Sequence, residues 1–164
     1  MTIRNIKESD KEGLVELLKE FGIGEDFLDS LWKSSSFVGE LSFVIDSGDE
    51  IVGLMMLSKN KLNKIVGLTL APLLIKENFQ HKGLGKHLLK RGLNLAEQLG
   101  YDYVVALGNE NFYEKYNFKP LSNFGVNGDE NTTMLSLNNE EENLNCEIKY
   151  PRAFKYLKIK LKTN

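Results

Sequence analysis

Cysteine is nearly absent from this sequence of 164 residues: Cys146 stands alone, and only two histidines accompany it. A lone cysteine forms no internal disulfide and, with no second thiolate, no thiolate metal site, so a reducing, cytoplasmic setting without a metal centre is expected. An excess of either charge is lacking too. Twenty-one basic side chains face 23 acidic ones, a formal charge of -2, which argues against a surface built as a whole for nucleic acid or a membrane. The longest uncharged run, Ile65 to Ile75, falls well short of the roughly 20 residues that span a bilayer, and Met1 to Glu8 carries no signal-peptide core. Prolines number only three, and no repeat, low-complexity tract or Pro/Ser-rich linker divides the chain.

What is present suits one globular unit: 41% hydrophobic and 27% charged residues over a length near that of a single domain. Residues 1–154 are expected to form it, followed by a basic tail, 155–164, with Lys155, Lys158, Lys160 and Lys162. Residues 2 to 7 read as an edge strand. Ser9 and Glu12 have the spacing of a capping box for a helix bearing Leu14, Leu17, Leu18 and Phe21 and ended by Gly22. Glu25 to Trp32 repeats the helical spacing, with Phe27, Leu28, Leu31 and Trp32 either packing on a sheet or lining a pocket. Residues 43–45, 51–57 and 65–75 predict a three-strand meander with turns at 46–50 and 59–64, and Pro72 predicts a bulge or lost pairing in the third strand.

Leu84, Leu88, Leu89, Leu93, Ala96 and Leu99 then predict a long helix closed by Gly100, followed by a buried strand at 103–107. A two-turn helix over 109–116 with Asn109 as N-cap, and strands at 132–137 and 146–150, complete the chain. The strands at 65–75 and 103–107, joined through a helix, become parallel neighbours. This is an α/β protein of the α+β type: one domain with a mixed sheet and flanking helices. Exposed edge strands near the C-terminus offer a surface on which two copies pair as a homodimer.

The turn Gln80-His81-Lys82-Gly83-Leu84-Gly85 lies between an apolar strand and the long helix. Glycines at a helix mouth let the backbone curl and aim free N–H groups outward, and the helix dipole adds positive potential, which together suit a phosphate. Lys76, Lys82, Lys86, Lys90 and Arg91 against Glu77 concentrate positive charge there. The competing reading is a glycine turn with lysines coating a solvated helix face. The glycine spacing matches neither a P-loop nor a dinucleotide fingerprint.

Two segments together carry a family resemblance. Gln80, Gly83 and Gly85 match a Q/R-x-x-G-x-G/A loop, and Phe112, Tyr113, Lys115 and Phe118 match a later F-Y-x-K-x-G-F stretch. In this order the chain resembles the GNAT superfamily of N-acetyltransferases, and the wider run from Leu70 to Phe118, with Tyr150 to Phe154, is similar to its YhbS-like bacterial group. Asn117 stands where the family commonly has glycine, and asparagine is the next-best residue for a left-handed turn. Ala106 and Asn109 exchange the asparagine and alanine that many members carry at those positions.

The resemblance implies a mostly antiparallel sheet with a central splayed parallel strand pair. It also implies acetyl-CoA as co-substrate, without a metal, and direct transfer to a primary amine of a small-molecule or peptide acceptor. The diphosphate would rest on the loop N–H groups of Gln80, His81, Lys82, Gly83, Leu84 and Gly85, next to Lys86. The pantetheine arm would pair with Leu73, Leu74 and Ile75, with an oxyanion donor near Leu74 or Ile75 and Asn109 and Phe112 also on the cofactor side. Tyr113 is the candidate general acid, because a phenol of pKa about 10 stays protonated at neutral pH. Its bland alternative is a core aromatic, with Tyr116 then taking the acid role.

No carboxylate lies on the strand at 65–75, which leaves Glu40, Asp46 and Glu110 as positional candidates for a base, with His81 and His87 behind them. Cys146 reads as a buried strand residue, since direct transfer needs no acyl-enzyme. The alternative functions are a non-catalytic acyl-CoA-binding sensor or interaction module and an unrelated phosphate-ligand module.

Overall fold

A computed structural model of the chain describes residues 1–138 and 143–157. Its strands are β1 (Thr2–Asn5), β2 (Phe43–Asp46), β3 (Ile51–Leu62), β4 (Ile65–Ile75), β5 (Tyr103–Leu107), β6 (Lys119–Pro120), β7 (Val126–Asn127), β8 (Thr132–Ser136) and β9 (Cys146–Glu147). Its α-helices are α1 (Lys11–Glu20), α2 (Glu25–Trp32), α3 (Leu84–Gln98) and α4 (Glu110–Glu114). Seven strands form one sheet in the order β1-β2-β3-β4-β5-β8-β6, while β7 and β9 make a separate parallel ribbon. Within the large sheet only β4 and β5 run parallel, joined through α3.

Strand alternation sorts the core onto two faces. Met55, Leu57, Leu68, Leu70, Val104 and Ala106 face α3, where Leu88, Leu89 and Ala96 cover them. Leu54, Met56 and Ala71 point the other way, under α1, α2 and a 3-10 turn at Arg152–Tyr156. Phe27 of α2 meets Phe154 of that turn edge-on at 5.8 Å, and Trp32 lies against Phe37 at 6.1 Å while also bordering a shallow surface pocket with Glu8, Lys11, Asp29 and Lys33, so the aromatic side of α2 is mainly packing. Leu157 is fully buried in the same cluster, which carries the folded unit past residue 154. Residues 158–164 of the expected basic tail, with Lys158, Lys160 and Lys162, lie outside the described residues.

Three sequence expectations are corrected. The turn placed at 59–64 is strand, because β3 runs to Leu62 and only Asn63 and Lys64 turn, Asn63 taking the left-handed conformation at φ 55. The strand placed at 146–150 is continuous over Cys146 and Glu147 only, which pair with β7, and it touches the main sheet through a single bridge from Lys149 to Lys61 of β3. The Ser9–Glu12 box is not formed, since a 3-10 turn at Glu8–Asp10 moves the start of α1 to Lys11. Asp10 does the fastening: its carboxylate accepts the Lys7 N–H at 2.8 Å and the Arg4 guanidinium at 2.8 and 2.9 Å.

The bulge expected at Pro72 is present. Leu57 pairs with Leu70 and Met55 with Leu73, so Met56 faces two residues of β4, Ala71 and Pro72. The β4–β5 ladder covers only Leu68 to Leu70 against Val104 to Ala106, and beyond it the two strands part.

A polar link crosses the sheet below that gap. The Tyr103 hydroxyl donates to the Asn60 side-chain oxygen, and Asn60 donates to Thr69 Oγ1 at 2.5 Å, all three residues being buried. The Tyr103 ring lies over Gly67, where an added Cβ would meet ring carbons at 2.3 to 2.4 Å. Gly67→Ala must displace the ring and its hydrogen bond, and should cost about 2 to 4 kcal/mol in urea unfolding, whereas Gly24→Ala, with open space around it, should cost only about 1 kcal/mol from a weakened N-cap on α2.

The Arg4 guanidinium holds the Asp10 carboxyl below its ordinary value. The stability this contributes is present above the unfolded-state value of about 4 and lost as the pH falls through the lower folded value. Asp10→Asn should therefore flatten the acid limb of a stability-against-pH curve.

Candidate active site

The gap between β4 and β5 opens into a cavity of about 510 Å³ that reaches from the mouth of α3 to α4. By alternation along β4, the Lys76 N–H goes to Val52 at 2.8 Å, so the N–H and C=O groups of Leu73 and Ile75 point away from β3 and into the gap. These groups have no strand beside them from Ala71 onward. An extended ligand arm with amide groups has a half-made ladder to complete.

At one end of the cavity the chain curls through two left-handed residues, His81 at φ 63 and Gly83 at φ 80, before α3 begins at Leu84. The N–H groups of the first turn of α3 have no intrahelical acceptor and stand at the positive end of the helix dipole. Gln80 is a brace: its Nε2 donates to the Ile75 carbonyl at 2.8 Å and its own N–H is committed to the Glu77 carbonyl. That corrects the expectation that the Gln80 N–H is free for an anion. Gly85 faces Phe112 across the cavity, a Cβ there lying 3.7 Å from the ring.

The local positive charge is thinner than the sequence suggests. Lys76 is clasped by Glu20 at 3.2 Å and Glu50 at 2.7 Å, and Arg91 donates to the Ile3 carbonyl at 3.0 Å with its guanidinium over Phe43. Lys86 lines the cavity, and Lys90 follows one turn along α3. Lys82 is exposed, does not line the cavity, and lies over the Phe79 ring at 5.5 Å.

Of the residues expected to hold the cofactor or to act as the acid, all but Lys82 line this one cavity: Leu73, Leu74, Ile75, Gln80, His81, Gly83, Leu84, Gly85, Lys86, Asn109, Phe112 and Tyr113. Tyr113 projects from α4 onto the wall, with Phe112 and Phe118 each at 5.2 Å. It is 3% exposed, and burial pushes its phenol above the ordinary tyrosine value, so it stays protonated through the neutral range. Tyr116, half-buried, lines the same cavity.

Asn109 does not cap α4 with its side chain. It takes a left-handed conformation at φ 45, and its carbonyl accepts the N–H groups of Phe112 at 3.0 Å and Tyr113 at 3.3 Å. Asn117 is left-handed at φ 71, as its position before Phe118 requires.

The carboxylate candidates are elsewhere. Asp46 binds Arg4 and the Gly48 N–H, and neither Glu40 nor Glu110 reaches the cavity, whose lining contains no acidic residue among the described ones. His81 lines it, while His87 is on the exposed side of α3. Cys146 is half-buried on β9, away from the cavity, with its thiol pushed up by burial. Phe21, Pro72, Phe79, Leu107 and Gly108 complete the wall without having been singled out as site residues. Phe21 arrives from the end of α1, far away in sequence, and nothing in its local pattern marks it.

Among the described residues no helix is long and apolar enough to cross a membrane, and no cluster of His, Cys, Asp or Glu has metal-binding form. Residues 39–120, half of the chain, match the family described as the acetyltransferase (GNAT) domain. The structure superposes on the GNAT family N-acetyltransferase YhbS of Escherichia coli, solved in complex with CoA, with a TM-score of 0.80 and 20% identity over 94% of this chain and 91% of that one. A GNAT family acetyltransferase from Brucella melitensis, solved with acetyl-CoA, gives a TM-score of 0.70 at 17% identity, over 93% of this chain and 97% of that one. The ribosomal-protein-S18-alanine N-acetyltransferase of Escherichia coli gives 0.66 at 16%, over 87% and 97%. No curated protein matches the chain in sequence. With half its length matched by the family and its fold superposing on such structures, this chain belongs to the GNAT acetyltransferase family.

Proposed function

We propose that the protein transfers an acetyl group from acetyl-CoA directly to a primary amine. The observation that carries this reading is the single continuous cavity running from the α3 mouth, through the unpaired edge of β4, to the Tyr113 phenol. The first-turn N–H groups of α3 and the left-handed turn at His81 and Gly83 suit a diphosphate, with Lys86 adding charge. Leu73 and Ile75 offer backbone groups to the amides of a pantetheine arm and, at its end, an N–H to the developing oxyanion.

When bound, acetyl-CoA supplies the activated acyl group. The chain orients it, excludes water with Phe112, Tyr113 and Tyr116, and provides a proton. The amine lone pair forms the new N–C bond as the C–S bond breaks, and Tyr113 gives its proton to the departing sulfur. Among the described residues no carboxylate lines the cavity, so the proton lost by the amine goes to solvent and the Tyr113 phenolate regains one from solvent to complete the cycle.

That same lack favours one second reading, a non-catalytic acyl-CoA-binding sensor, and experiment separates the two. Calorimetric titration should show acetyl-CoA and CoA binding and ATP failing to bind. Against a panel of amines, Tyr113→Phe should lower kcat by about 10²-fold or more with acetyl-CoA affinity unchanged. A sensor binds and turns over in neither form.

Gln80→Leu should weaken acetyl-CoA binding by removing the brace that fixes the turn before α3 against the end of β4. Since Tyr113 titrates above a free phenol, kcat should rise with pH as the amine deprotonates, with no alkaline decline at pH 10.

A further inference from the structure

Tyr113 stands on a helix too short to set its own direction. α4 has five residues, far fewer than a helix needs to hold together unaided, so its orientation is dictated by what grips its ends. The chain enters it through two successive residues of positive φ, Gly108 at 73 and Asn109 at 45. The Gly108 N–H donates to the Asn131 carbonyl at 3.1 Å, which ties this corner to the chain entering β8. The Asn109 carbonyl then receives the N–H groups of Phe112 at 3.0 Å and of Tyr113 itself at 3.3 Å.

At the other end Asn117, at φ 71, hands the chain to the fully buried Phe118, whose N–H returns to the Tyr113 carbonyl at 3.3 Å. Left-handed turns therefore hold both backbone groups of Tyr113. The Asn109 side chain is exposed and makes no capping bond to α4, so its value to the fold lies in its backbone. After glycine, asparagine is the residue that best tolerates the left-handed region, and a β-branched residue is strained there. A corner relaxed to ordinary dihedrals would tilt α4, and the tilt is multiplied along the tyrosine side chain to its hydroxyl. A general acid works only within hydrogen-bond reach of the atom it protonates, so a displacement of about 1 Å is felt in the rate.

We infer that Asn109 is a positioning residue, whose left-handed backbone aims the Tyr113 phenol at the departing sulfur. This rests on the acetyltransferase reading above. It differs from a side-chain contact between Asn109 and the cofactor, and a glycine variant separates the two.

The test uses the full chain, acetyl-CoA and whichever amine of the panel turns over fastest. Asn109→Val should lower kcat about tenfold, with KM for acetyl-CoA and calorimetric CoA affinity within about twofold of the parent. Asn109→Gly, which removes the side chain but keeps the left-handed backbone, should recover kcat to within about twofold. In the Tyr113→Phe background Asn109→Val should cost less than about twofold further, because the group it aims is gone. If the melting curve shows that Asn109→Val does not fold, Asn109→Ala takes its place, with an expected loss of about threefold. A valine variant as fast as the parent, a glycine variant as slow as the valine one, or an equal loss in both backgrounds overturns the inference. A protein that binds no CoA, acetylates no amine, or keeps its kcat in Tyr113→Phe overturns instead the reading on which it rests.

Discussion

The loss of pairing between β4 and β5 is the constraint on which the rest of the structure depends. Two parallel strands held together for only three residue pairs would ordinarily be a weak seam in a sheet. Here the seam is secured from below by the buried Tyr103–Asn60–Thr69 link and from both faces by packed helices. Above it, the extra residue at Ala71–Pro72 turns β4 aside and leaves its edge unmatched. An unpaired edge in mid-sheet is tolerable only where something else completes it, and the cavity along this edge is shaped for an extended ligand.

The two faces of the sheet then divide the work. The α3 face supplies the helix mouth, the braced turn and Tyr113. The other face supplies Phe21 and Leu107, which lie far apart in the chain. The first set lies within a short, continuous stretch of sequence; the second is assembled only by folding.

That difference explains how much was legible in advance. The meander, the long helix, the parallel pair and the bulge each follow from a local signal: alternation, 3.6-residue spacing, a helical crossover, a proline without a donor. The loop and the aromatic stretch were legible for the same reason, and their residues converge on one cavity. Phe21 was readable as a helix residue but not as a wall residue, since nothing in its neighbourhood says what it faces. Local charge misled: Lys76 and Arg91 lie near the turn in sequence, but Glu20, Glu50 and Ile3, all distant, claim them. The polar stretch at 59–64 looked like a turn because Asn60 and Lys61 hide their role, Asn60 pointing inward to Tyr103 while the lysines face solvent.

The 3-10 turn at Arg152–Tyr156 closes over α2, placing Phe154 on Phe27 more than a hundred residues away. During synthesis the oily side of α2 is made early and stays partly uncovered until residues 152–157 have left the ribosome. Throughout that interval α1 and the sheet cover only part of the cluster of Phe27, Leu28 and Leu31, and the late turn is the cap that seals it.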